Sequence, residues 1–320
     1  MPTRYPIADL TKTTPSTIAG RPSKVRTEDF ASPATPDASF RTFLDSLPNI
    51  LAGADLRAVV EAIVAAKRAG KPVLVSMGAH VIKCGLSPVL IDLMERGVID
   101  ALALNGAGSV HDVEIALFGI TSEDVNEALQ SGDFGMAKEP CDFLNESAAG
   151  AAEQGKGLGE ALGERLLEST GPNLHLSVLA AGARLGIPVT VHVAVGTDIN
   201  HMHPSASGAA IGEATFTDFR VFAAAVSRVG DGGVILNLGS AVVLPMIIEK
   251  ALAVARNLGH PVERFTGVNF DFIRHYRSTL NPVVRSKVLG GDGYQLMGHH
   301  EILIPLLAHA VVARLGARES

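Results

Sequence analysis

Residues 102–119 read LALNGAGSVHDVEIALFG: a short apolar run, then Asn-Gly-Ala-Gly-Ser, then apolar residues at helical spacing. A strand that hands over to a helix through two glycines and a serine marks one unit of an α/β sheet. The alternation continues on both sides. Upstream, DLRAVVEAIVAAKRAG has helical spacing and stops at Gly70, PVLVSMG is a continuous apolar strand, and LSPVLIDLMERG is a helix with Pro88 in its first turn. SEDVNEALQSG follows as a helix with a start signal near Thr121 and Asp124. Downstream, IPVTVHVAVG, GGVILNLG and FTGVNF read as strands, with ATFTDFRVFAAAVSRVG, LPMIIEKALAVARNLG and EILIPLLAHAVVARLG as helices. From residue 131 to about 157 the chain is a long connection with helical pieces.

Continuous apolar strands mean that both faces of the sheet are covered, and such sheets are mostly parallel. The expected fold class is therefore α/β, a doubly wound, mostly parallel, Rossmann-like sheet. Residues 1–37, rich in Pro, Thr and Ser, predict an extended N-terminal arm, and 38–320 a single α/β domain.

Composition excludes several classes. A formal net charge of −6 argues against nonspecific nucleic-acid binding. No apolar run reaches the roughly 18 residues of a membrane span. Two cysteines, Cys84 and Cys141, cannot build a disulfide framework or a four-cysteine zinc site, and a reduced, cytoplasmic setting is expected.

In a doubly wound sheet, ligands sit at the carboxyl ends of the strands. Four expected strands end in small or polar residues: SMGAH (76–80), NGAGS (105–109), VGTD (195–198) and NLGS (237–240). Glycine allows close approach to a ligand, and a following helix offers free N–H groups to phosphate. Asn105, Gly106, Ala107, Gly108 and Ser109 are thus a candidate pyrophosphate cradle, and Asp198 a candidate acceptor for ribose hydroxyls or a cap. The pairs His201/His203 and His299/His300 lack the carboxylate or cysteine spacing of a metal site, so no metal is expected. Proton transfer and hydrogen bonding suit them better.

The stretch VLVSMGAHVIKCGLSPVLIDLMERGVIDALALNGAGSVHDVEIALFG resembles the deoxyhypusine synthase family, as do GIPVTVHVAVGTD, GGVILNLGSAVV and EILIPLLAHAV, in order over residues 55–316. The resemblance implies NAD bound at a subunit interface of a homotetramer, amine oxidation by hydride transfer, and an imine on an active-site lysine that hands its group to a lysine of a partner protein. Ala79 and His80 match the family's small polar turn, Asn105–Ser109 its glycine turn, and His111 and Asp112 the positions of its acids. Asp198 matches a ribose-contacting acid, and Gly239 and Ser240 a third glycine cluster. His300 is expected at the cofactor as well. Lys287 falls within about one residue of the catalytic lysine.

His203 and His299 stand near family acids, and Arg285-Ser286 precede Lys287. Fewer acids and more cations point away from plain spermidine, towards an amine or amino-acid-like substrate. His201, His203 or His299 is the expected base. An NAD-recycling lyase or cyclodeaminase and a non-catalytic dinucleotide-binding protein are the alternative functions.

Overall fold

Six strands form one sheet in the computed structural model, which describes residues 3–316. The first two residues of the expected arm and the last four of the expected domain lie outside the described residues. The strands are β1 (Val73–Met77), β2 (Ala101–Asn105), β3 (Val189–His192), β4 (Val234–Leu238), β5 (Thr266–Asp271) and β6 (Asp292–Met297). All five pairings are parallel, in the order β3-β2-β1-β4-β5-β6. That order reverses direction between β1 and β4, the switch point of a Rossmann-like sheet.

The helices are α1 (Phe40–Ser46), α2 (Leu51–Arg68), α3 (His80–Lys83), α4 (Ser87–Glu95), α5 (Gly106–Phe118), α6 (Val125–Ser131), α7 (Lys138–Gln154), α8 (Leu158–Glu168) and α9 (Val178–Leu185). They continue with α10 (Gly208–Val226), α11 (Val243–Asn257), the short α12 (Tyr276–Ser278) and α13 (Arg285–Val288), and α14 (His300–Leu315). Alternate strand residues feed two cores. Val73, Val75, Leu102 and Leu104 pack in one with α2, α4, α5, α8, α9 and α14, whereas Leu74, Ala101 and Ala103 pack in the other with α10 and α11. This two-sided burial is why the strands read as unbroken apolar runs.

Edge strand β3 is protected by side chains of α10. Asp218 accepts from the amide of Val191 at 2.8 Å, and Thr215 accepts from that of Val193 at 2.9 Å. Asp218 also accepts from the amide of Gly159, fixing the start of α8. Burial pushes the Asp218 carboxyl up to about 7, against the pull of these amide bonds. Glycines 159 and 163 of α8 face Val189 and Leu179 so closely that a Cβ would lie 1.8 and 2.5 Å from their carbonyl oxygens.

The structure departs from the expected elements in four places. The connection after residue 131 is largely the 17-residue helix α7. The strand IPVTVHVAVG is paired only over Val189–His192. Strand β6 carries no run of apolar residues and lies at the sheet's other edge. The cap of α6 is Asp124, which accepts from the amides of Asn126 and Glu127, while Thr121 is engaged elsewhere. Residues 3–39 contain three short 3-10 turns and no buried side chain.

Candidate functional site

Parallel pairing brings the carboxyl ends of all six strands to one side, and the four glycine-bearing turns follow four neighbouring strands, β3, β2, β1 and β4. Their backbones meet closely. A Cβ on Gly78 would lie 2.7 Å from the carbonyl oxygen of Gly239, and one on Gly108 3.9 Å from the Cα of Ala79. Gly239 has φ +67° and supports the imidazole of His300, whose Nε2 would be 2.2 Å from an added Cβ.

At the start of α5, Asn105 accepts from the amide of Gly108 at 3.2 Å, and the Asp198 carboxylate accepts from the amide of Ala107. Asp198 rests directly on Gly106, where a Cβ would fall 1.8 Å from Oδ2. The cradle expected for pyrophosphate is therefore closed by the chain's own carboxylate, and a phosphate there would meet like charge. Asp198 is 7% exposed, and its Oδ2 has no hydrogen-bond partner among the described residues. Burial pushes its carboxyl upward, opposed by His201 and the Ala107 amide. An unpaired buried oxygen of this kind suits a hydroxyl donor, as on a ribose.

Other expected site residues divide into those near the strand tips and those committed elsewhere. Ser109 is buried and donates to the carbonyl of Gly106 at 2.7 Å. Asp112 does not reach the tips. It is fully buried and caps α9, accepting from the amides of Val178 and Leu179 and from the Ser177 hydroxyl, while burial lifts its carboxyl to about 6. Ser240 accepts from the amide of Leu244 and starts α11. His201 uses Nδ1 to accept from the amides of Gly196 and Asp198, both at 3.1 Å. His203 holds the carbonyl of Gly135 through Nε2 at 3.2 Å. Neither is free to serve as the expected base through those atoms.

His80, His299, His300 and Phe272 form a ring cluster over the β1, β4 and β5 tips. His80 and His300 are 6.0 Å apart, and Phe272 stacks on His299 at 6.2 Å and 6°. His300 is buried with Nδ1 unpaired, and burial pushes its pKa down. Lys287 is placed apart from all of these. It is exposed on α13, where the next turn meets Arg264 before β5, at the amino end of the sheet. Within one chain it does not join the strand-tip cluster, because the helical segment 276–288 carries the chain back to start β6 in parallel.

A cleft of about 210 Å³ opens beside α5, lined by Lys83, His111, Glu114, Glu123, Phe134 and Asp198 among others. Three carboxylates there face one ammonium and one imidazole. Glu114 and Glu123 line this cleft, whereas His203 and His299, the positions near which the resemblance has acids, do not. Glu114 is engaged by Thr121, whose hydroxyl donates to it, and Thr121 in turn meets Nδ1 of His111 at 2.5 Å. Burial raises the Glu114 carboxyl, but hydrogen bonds with His111 and Thr121 outweigh it, leaving the group below its usual range. Lys83, Glu114, Thr121 and Glu123 are missing from the sequence reading. The early polar position in HVIKCG is the one signal that could have exposed Lys83.

Among the described residues no group of three His, Cys, Asp or Glu side chains is arranged to hold a metal ion, and no helix is long and apolar enough to cross a membrane.

No protein-family model matches the chain, and no curated protein matches it. Solved structures do. A conserved protein from Methanococcus maripaludis S2 designated LOR/SDH superposes with a TM-score of 0.50 at 15% identity, over 83% of this chain and 71% of that one. AgrE, in a ternary complex with ornithine and NAD+, superposes with a TM-score of 0.50 at 16% identity, over 83% of this chain but 34% of its own length. A protein from Entamoeba histolytica designated a deoxyhypusine synthase gives a TM-score of 0.49 at 13% identity, over 87% of this chain and 94% of that one. At these identities the likeness to the first two establishes a shared Rossmann-like fold.

Proposed function

We propose that the chain is an NAD-dependent enzyme that oxidises an amine or amino compound by hydride transfer. The observation that carries this reading is the convergence of the turns after β2, β1 and β4 on one side of the sheet, where Gly78 meets Gly239 and Gly106 meets Asp198, whose Oδ2 has no hydrogen-bond partner among the described residues. Ligands of a doubly wound sheet lie in the crevice outside the carboxyl ends of the strands at the switch point, and Asp198 offers an acceptor for a ribose hydroxyl. Drug-sized ligands fill about 300–1,000 Å³, so the cleft beside α5 takes part of a dinucleotide and the rest lies across the open tips. AgrE, which shares the fold, binds NAD+ together with an amino acid.

The residues fit such a cofactor with one change from the sequence reading. Asp198 and the glycine tips would hold the ribose, and His80 and His300 would flank the chain beyond it, while the start of α5 is not the phosphate site. The nicotinamide would supply the hydride acceptor. Glu123 would hold an ammonium group, which returns cationic amines to the substrate class. Any imine lysine in a single chain would be Lys83, which lines the cleft, rather than Lys287. Assembly as a homo-oligomer, a tetramer by resemblance, belongs to the same proposal.

The test is absorbance near 340 nm after mixing the chain with NAD and a panel of amino acids and amines, spermidine included. Lasting NADH supports the dehydrogenase reading. Product without lasting NADH points to internal recycling, as in a lyase or cyclodeaminase. Tight NAD binding with neither outcome marks a binding protein, and absence of binding removes the proposal.

A further inference from the structure

A three-residue relay runs along the wall of the cleft, and no step above uses it. Glu114 accepts a hydrogen bond from the hydroxyl of Thr121. Thr121 Oγ1 lies 2.5 Å from Nδ1 of His111. Because the carboxylate only accepts, the Thr121 hydrogen points to Glu114, and its oxygen must accept from Nδ1–H of His111. This fixes the neutral imidazole as the Nδ1–H form and leaves the lone pair on Nε2. Nε2 has no partner among the hydrogen bonds of the described residues and is not among the buried unpaired atoms, so it opens to the cleft that His111 lines. Both His111 and Glu114 side chains are 16% exposed, so the relay is screened little by solvent.

We propose that His111 is the catalytic base of this chain, with Thr121 and Glu114 as positioning residues that set its tautomer and steady its charged form. The assignment rests on the dinucleotide reading for its oxidant. A neutral amine or alcohol group of the substrate gives its N–H or O–H proton to Nε2. The adjacent C–H leaves as hydride to a nicotinamide dinucleotide, and the C–N or C–O bond becomes double. The imidazolium that results is held by Glu114 through the Thr121 hydroxyl, with Glu114 Oε2 at 3.5 Å from Nδ1. The other charged groups facing the cleft are Lys83 from α3, Glu123 from the loop before α6 and Asp198 from the turn after β3. The substrate class narrows to compounds whose oxidised carbon bears an ionisable N–H or O–H.

Two readouts test this, one without any ligand. In the full-length chain labelled with ¹⁵N, imidazole shifts assigned through His111→Gln should show the Nδ1–H tautomer for His111. Thr121→Val should move it to Nε2–H, and Thr121→Ser should restore it. An Nε2–H tautomer in the parent chain, or a tautomer unmoved by Thr121→Val, overturns the relay. With a turned-over substrate, His111→Gln should lower kcat at least about 100-fold, and Thr121→Val should lower kcat more than it changes KM, with Thr121→Ser restoring it. Turnover of His111→Gln within threefold of the parent overturns the assignment of the base. If the parent chain fails to bind NAD, the dinucleotide reading falls, whereas the NMR result still decides the relay.

Discussion

Two glycines decide what the strand tips can hold. Gly106 has room for the Asp198 carboxylate because it lacks a Cβ, and an added methyl would fall 1.8 Å from Oδ2. Gly106→Ala should therefore push Asp198 off the start of α5 and weaken NAD at least about tenfold, or 1.4 kcal/mol, by titration calorimetry. Gly212→Ala, whose added Cβ meets nothing within 4 Å, is the matched control and should leave affinity unchanged. Gly239 is constrained twice, by φ +67° and by the His300 imidazole. Gly239→Ala should lower unfolding stability by about 1–3 kcal/mol and displace the ring cluster, seen as changed His80 and His300 shifts in NMR spectra. The glycine turns were readable as small-residue strand ends. The partner of each was not, because Asp198 is separated from Gly106 by some ninety positions and only the sheet order brings them together.

Among the elements, the sheet carries a buried polar row that no local pattern reveals. Ser76, Asn237, Asn269 and Gln295 are in register across β1, β4, β5 and β6. Ser76 donates to Asn237 Oδ1, Asn237 to Asn269 Oδ1, and Asn269 to Gln295 Oε1. Asn237 also donates to the carbonyl of Ser240, which ties the row to the β4 tip. Asn269→Leu leaves a donor of Asn237 and an acceptor of Gln295 unpaired, so chemical denaturation should show a loss on the order of 2–4 kcal/mol. Gln295 also explains why β6 escaped the sequence reading. DGYQLM mixes polar and apolar residues at an edge with one neighbour, so it lacks the continuous run that betrays β1, β2 and β4. Helix α7 escaped for a different reason: its AAGAAEQ half is built from small residues, and helical spacing is hard to see without large apolar ones. At the opposite edge, Asp218 gives a pH prediction. Its folded carboxyl is raised to about 7 from an ordinary value of 3.8, so the folded state holds the proton more tightly than the unfolded one. Its contribution to stability is fullest below pH 4 and declines as pH rises towards 7. The stability of the parent relative to Asp218→Asn should thus fall between pH 4 and 7, by an amount on the order of 1–4 kcal/mol. A difference that grows with pH would place the carboxylate in a better solvated setting than its burial implies.

At the scale of the molecule, the carboxyl side of the sheet combines the chemistry of the strand tips with a group of exposed apolar side chains. Val195, Val242, Phe272, Ile273, Tyr276 and Ile302 follow strands β3, β4, β5 and β6 there, each between 49% and 75% exposed. Single exposed apolar side chains are ordinary, but a group bordering one crevice is a candidate for contact with a ligand or a second copy. The strand alternation that made the fold legible says nothing about this face, because loop residues beyond the strands obey no period. The ring cluster of Phe272 with His80, His299 and His300 lies within it, so a second copy seated there would close the crevice over its ligand and exclude water. Sedimentation velocity should accordingly show self-association at micromolar concentration. Tyr276→Glu combined with Ile302→Glu should shift the chain towards monomer, because two buried carboxylates without partners oppose contact. Neither residue lines the cleft beside α5. Their replacement should therefore weaken NAD only in proportion to the dissociation it causes, with affinity recovering at higher protein concentration. A monomeric parent chain that binds NAD at full affinity would show instead that the crevice is complete in one copy and that the apolar border serves the ligand alone.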